Sequence, residues 1–177
     1  MSATLFEQYE KNGFVIVKNI IPISRIQVLF KSIIKMYCKY SGDAEDFKDF
    51  EEPWNSDLFH QKMREFRKND PQSFGAMYDT LRTNLSLMQL VADDALVDTA
   101  AQFLRRKPEE ISMSDPVVRL DVPGDKRNAH GWHQERAYFP HNRDGLHGMV
   151  CWIPLFDCNK ENGTIHVCAG SHQEGLV

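Results

Sequence analysis

The hydrophobic period of this chain changes near Val117, and no other feature restricts the fold as much. Before that point apolar residues recur at three- and four-residue spacing; after it they come in short runs broken by turn residues. "TLFEQYEKNG" predicts a short helix stopped by Gly13, and "FVIVK" (14–18) a strand, because β-branched and aromatic side chains suit a pleated surface. From about Ser24, Ile26, Leu29, Phe30, Ile33, Ile34 and Tyr37 lie on one helical stripe, which Gly42 should end. The acidic run 42–54 reads as a solvated loop. Helices are expected near 56–68 and 71–91, and a further one over 93–106 with Asp93 or Asp94 as its cap.

The later runs "VVRLDV", "HQERAYF", "MVCWIPLFD" and "TIHVCAG" are separated by "PGDKRN", "HNRDG" and "NKENG". Asn162-Gly163 suits a type I′ turn, which would join strand 149–157 to strand 164–169 as a hairpin. Strands behind a helical layer predict an α+β chain with a mainly β core: a cupin-like jelly roll, or double-stranded β-helix, carrying an N-terminal helical layer. The expected organisation is a single domain over 1–177, with the helical layer over about 1–112 and the jelly-roll strands over about 113–177.

Within the second of these runs, "HGWHQERAYFP" (130–140) raises the question of a metal. Side chains alternate along a strand, so His133 and Glu135 would share one face while Gln134 and Arg136 share the other. Two adjacent ligands are arranged in that way.

Composition narrows the setting. With 177 residues, 42% hydrophobic and 26% charged, the chain can bury a proper core. A net charge of −4 gives no general attraction to nucleic acid, and the basic patches at 62–68 and 104–107 read as solvated helix faces. The opening residues carry charges where a signal peptide needs an apolar run, and nothing approaches the roughly 18 apolar residues of a membrane span. The expectation is a soluble, cytoplasmic protein with no membrane or nucleic-acid partner. Cys38, Cys151, Cys158 and Cys168 form no CxxC pair, so buried free thiols are expected rather than a redox dithiol or zinc cage.

Three segments resemble the phytanoyl-CoA dioxygenase family of iron(II)- and 2-oxoglutarate-dependent oxygenases. "YEKNGFVIVKNIIPISRIQVL" (9–29) is similar to its N-terminal strand and helix, "WHQERAYFP" (132–140) to its HxD strand, and "MVCWIPLFDCNKENGTIHVCAGSHQEG" (149–175) to the following hairpin. They run in the family's order across nearly the whole chain. The resemblance implies that His133 and Glu135 are the first histidine and the carboxylate of a facial triad, which leaves positions open for a keto acid and oxygen. Glu135 stands where the family usually has aspartate; it retains a ligating carboxylate, unlike the alanine or glycine of related halogenases, and so argues for oxygen insertion.

The resemblance also implies a third ligand, a histidine, and an arginine for the 2-oxoglutarate carboxylate, both on strands later than "GSHQEGLV". The sequence is therefore expected to be the front portion of a longer domain or a shortened member, with an incomplete barrel whose exposed edge invites self-association. His172 belongs to the "GSH" element and is read as structural. Trp152 corresponds to a family tryptophan that lies against 2-oxoglutarate, although a tryptophan in a central strand also serves as core. Arg119 either meets an anionic substrate or forms an outward salt bridge. Tyr138 and Arg136 flank the candidate metal strand as substrate contacts. His130, His141 and His147 are expected to face solvent, and His166 either the barrel interior or the surface. Three functions follow: a hydroxylase of a small organic molecule using iron(II) and 2-oxoglutarate, a degenerate cupin-like binding protein, or an assembly subunit.

Overall fold

The computed structural model describes residues 3–43, 47, 51–121, 130–135 and 148–175. The chain divides into two compact units. One comprises Ile21–Asp93 with Met113–Gly124; the other draws on Met1–Ile20, Asp94–Ser112 and Asp125–Val177. Six α-helices are described: α1 (Ala3–Asn12), α2 (Ile23–Ser41), α3 (Asp57–Asn69), α4 (Pro71–Leu81), α5 (Leu85–Val91) and α6 (Asp94–Leu104).

The first unit is built on α2, which packs against α4 and α5. Leu29, Phe30, Ile33 and Tyr37 are buried along the stripe that the sequence shows, and Gly42 ends the helix in the left-handed conformation at φ 82°, its N–H donating to the Cys38 carbonyl. Burial of each such large side chain contributes about 1.5–3 kcal/mol. Phe66 meets Tyr37 edge-on at 5.6 Å and Phe74 at 5.7 Å, which ties α3 and α4 to α2.

Two expectations change in this unit. The acidic run 42–54 is not wholly a solvated loop. Phe47 and Trp54 are each only 5% exposed, Phe47 against Tyr37 and Phe59, Trp54 stacked on Phe30 at 4.9 Å. Apolar burial outweighs the charged neighbours there. The helix expected over 71–91 is two helices, because Asn84 accepts the Ser86 N–H at 2.9 Å and starts α5 afresh. Ser56 starts α3 in the same way through the Phe59 N–H, and Asp70 starts α4 through the Ser73 N–H, a bond that holds its carboxyl below the usual range.

In the second unit Phe103 of α6 packs on Tyr9 and Phe6 of α1, with ring centroids 5.0 and 6.5 Å apart. Arg105 follows α6 in the left-handed region at φ 54°, and the Arg106 N–H closes the helix end on the Ala101 carbonyl. The Arg105 guanidinium lies 4.6 Å over the Phe6 ring and pairs with Glu10 at 3.2 Å. Gly13 ends α1 at φ 78°, as the sequence indicates.

Among the described residues no segment is joined to another by a strand ladder, 14–18 included. The chain does reverse at the expected Asn162-Gly163 position, through Thr164 N–H to the Asn159 carbonyl at 3.1 Å. The turn is not type I′: of the pair only Gly163 has positive φ. Instead the Asn162 side chain braces the loop, accepting from the Asn159 N–H and donating to the Asp157 carbonyl. Alternation survives locally, with Val118 buried between exposed Val117 and Arg119. None of the four cysteines is in a disulfide, and none is buried: Cys151 and Cys168 are exposed, Cys38 and Cys158 partly so.

Candidate metal centre

Residues 130–135 carry the candidate ligands. The His133 Nδ1–H donates to the Gly131 carbonyl at 2.8 Å, which fixes the ring and leaves Nε2 aimed at Glu135 Oε1, 3.3 Å away. A carbonyl can only accept, so Nδ1 carries the hydrogen and Nε2 is the nitrogen available to a metal. That hydrogen bond and the adjacent carboxylate both raise the pKa of His133 above the ordinary histidine value. The two side chains remain open to solvent, 32% and 50% exposed. The His130 ring, itself exposed, meets His133 edge-on at 5.8 Å.

These two donors suit a cation of ferrous type: an imidazole with its tautomer set by a backbone carbonyl, and a carboxylate within reach of the same point. Among the described residues no group of three or more histidine, cysteine, aspartate or glutamate side chains gathers to complete such a site. Clefts lie elsewhere, one lined by Tyr9, Glu10, Phe103 and Gly148, another by Tyr37, Lys62, Glu65 and Asp70.

The other residues singled out in the sequence are dispersed. Trp152 is 38% exposed. Arg119 pairs with Asp121 at 3.4 Å, both side chains substantially exposed, as in the outward salt bridge. His166 is exposed. Tyr138, Arg136, His141 and His147 lie outside the described residues. His172 serves structure: its Nε2–H donates to the Glu10 carbonyl at the end of α1.

Sequence reasoning missed Gln134. Its amide donates to the Gly175 carbonyl at 2.7 Å. The sequence reading set Gln134 on the face opposite His133 and Glu135, but it named no partner for it.

No helix of the described residues is long and apolar enough to cross a membrane. The family model for phytanoyl-CoA dioxygenase matches residues 9–176. Human peroxisomal phytanoyl-CoA dioxygenase is 25% identical over 177 residues, covering 95% of this chain and 46% of that protein. The chain thus spans about half the length of the curated relative it matches. No solved structure matches it. With a family match that spans α2 to α6, the His133–Glu135 pair and the Gly170–Gly175 turn together, the chain belongs to the phytanoyl-CoA dioxygenase family.

Proposed function

We propose that this chain contributes the His133 and Glu135 ligands to an iron(II)- and 2-oxoglutarate-dependent oxygenase that hydroxylates a small organic molecule. The observation that carries the reading is the approach of His133 Nε2 and Glu135 Oε1 to 3.3 Å, within a chain whose residues 9–176 match the phytanoyl-CoA dioxygenase family model. The fold that goes with it is the jelly roll with a helical layer. Extended strands of such a barrel would use the alternating runs at 117–121, 148–157 and 164–169 and the 159–164 reversal.

Iron, when bound, supplies an acidic centre where the keto acid and oxygen meet. The chain's own residues prepare for it. The Gly131 carbonyl holds the His133 ring so that Nε2 can ligate, and Glu135 supplies a charged oxygen. Trp152 is the proposed neighbour of 2-oxoglutarate and Tyr138 a proposed substrate contact; Arg119 would have to leave Asp121 to serve as another. Phytanoyl-CoA, the substrate in the human relative's name, makes acyl-CoA thioesters the first class to try. A cytoplasmic location and self-association through an open sheet edge belong to the same proposal. The facial triad needs a third ligand beside these two, since two ligands alone hold ferrous iron weakly.

The test is succinate release under ferrous iron and ascorbate with a panel of acyl-CoA thioesters and other small acids, comparing the 177-residue chain with a version extended by a distal histidine and arginine. The extended protein should turn over 2-oxoglutarate with substrate, His133→Ala should abolish turnover, and Glu135→Ala should abolish hydroxylation while opening a position for chloride. An extended protein that binds neither iron nor 2-oxoglutarate would reject the oxygenase reading. It would favour a binding protein instead.

A further inference from the structure

The residue between the two candidate ligands is held by a chain of hydrogen bonds that ends on α1. Gln134 donates through its side-chain amide to the Gly175 carbonyl at 2.7 Å. Gly175 follows the 3-10 turn Ser171–Glu174, and that turn is fastened to the last carbonyls of α1. The Gly170 N–H donates to Asn12 at 2.8 Å, the His172 Nε2–H to Glu10 at 2.9 Å and the Gln173 amide to Lys11 at 3.2 Å. A helix leaves its final carbonyls without partners inside the helix, and here three successive ones are taken by one distant segment. Gly13 completes the seat: a Cβ there would lie 2.5 Å from His172 Nδ1, so the ring rests directly against the glycine.

We propose that Gln134 is a positioning residue for the metal pair, tying the His133–Glu135 segment to the Gly170–Gly175 turn and through it to the end of α1. This rests on the metal reading of His133 and Glu135 and adds to it. The Gln134 side chain reaches Gly175 while its two neighbours in sequence, His133 and Glu135, meet each other. Such a tie limits rotation of the backbone that would otherwise turn both ligands away from a common point. His133 Nδ1 already has a backbone carbonyl to hold its ring; Gln134 supplies the equivalent restraint for the segment as a whole. Outer partners of this kind commonly change metal affinity by about 10–100-fold.

Two measurements on the full chain test this, the first without metal. In amide hydrogen exchange, Gln134→Ala should speed exchange about tenfold at residues 130–135 and 171–175 while leaving α2 to α5 unchanged. His172→Ala and Gly13→Ala should speed exchange at 171–175 and at the end of α1. In a cobalt(II) titration, Gln134→Ala should weaken binding about tenfold without changing which residues bind. Gln134→Lys, which can still donate to the Gly175 carbonyl, should restore both properties. Parent-like exchange in Gln134→Ala overturns the proposal whatever cobalt does, and so does a lysine variant no better than alanine, because packing rather than donation would then be responsible. Equal cobalt affinity in the parent and in His133→Ala would overturn the metal reading itself, and exchange would still decide whether the tie exists.

Discussion

At the scale of single residues, His133 shows how a ligand is prepared before a metal arrives. Its pKa is raised first by the Gly131 carbonyl and then by Glu135, so the imidazolium persists to higher pH than in an unfolded chain. The ion pair's contribution to stability is therefore complete below the unfolded pKa and is lost as pH rises through the folded one. A divalent cation needs the Nε2 lone pair and must displace that proton. Cobalt affinity should accordingly rise with pH until His133 is fully deprotonated and then level off, with the levelling point above the ordinary histidine range; a titration at several pH values checks this. Affinity independent of pH across that range would mean that His133 is not the ligand. The HxE pair was legible because its members stand two residues apart, which is a local relation. The Gln134 bond was not, because its partner lies 41 positions away and no local pattern encodes it.

At the scale of elements, what could be read from the sequence depended on whether a boundary altered the hydrophobic pattern. The course of α2 was plain from Leu29, Phe30, Ile33 and Tyr37 and from Gly42 beyond them. The break between α4 and α5 was hidden, since buried leucines continue on both sides of it, Leu81 before and Leu87 and Leu90 after. Only the cap marks it. Asn84→Ala removes the oxygen that satisfies the Ser86 N–H, and thermal or denaturant unfolding should show a loss of about 1 kcal/mol. Far-UV circular dichroism should show no gain in helix; a gain with unchanged stability would mean that the break has another cause. The charges around Phe47 and Trp54 concealed a different boundary, because an acidic run reads as solvated even when its aromatic members turn inward.

At the scale of the whole molecule, the first unit owes its stability to a dense apolar centre in which Met77 and Leu81 have no exposed surface. Leu81→Ala should cost about 2–5 kcal/mol, the loss of transfer energy together with the cavity left behind, and a shift in the urea midpoint would measure it. A cost below about 1 kcal/mol would mean that the neighbours collapse into the space. In the later half only the local alternation at Val117, Val118 and Arg119 was legible and is seen in their burial. The pairing of that half could not be read in the same way, because a hairpin gains little until further strands cover its face. The fastening of α1 to the Gly170–Gly175 turn also affects how the protein is made. The His172 and Gln173 bonds each span 162 residues. At the ribosome's pace of about 5–20 residues per second, the first helix emerges on the order of 10–30 s before its partners exist. Throughout that interval its last carbonyls can be satisfied only by water, while the other unit, almost entirely contiguous between Ile21 and Asp93, gains most of its chain and is free to condense.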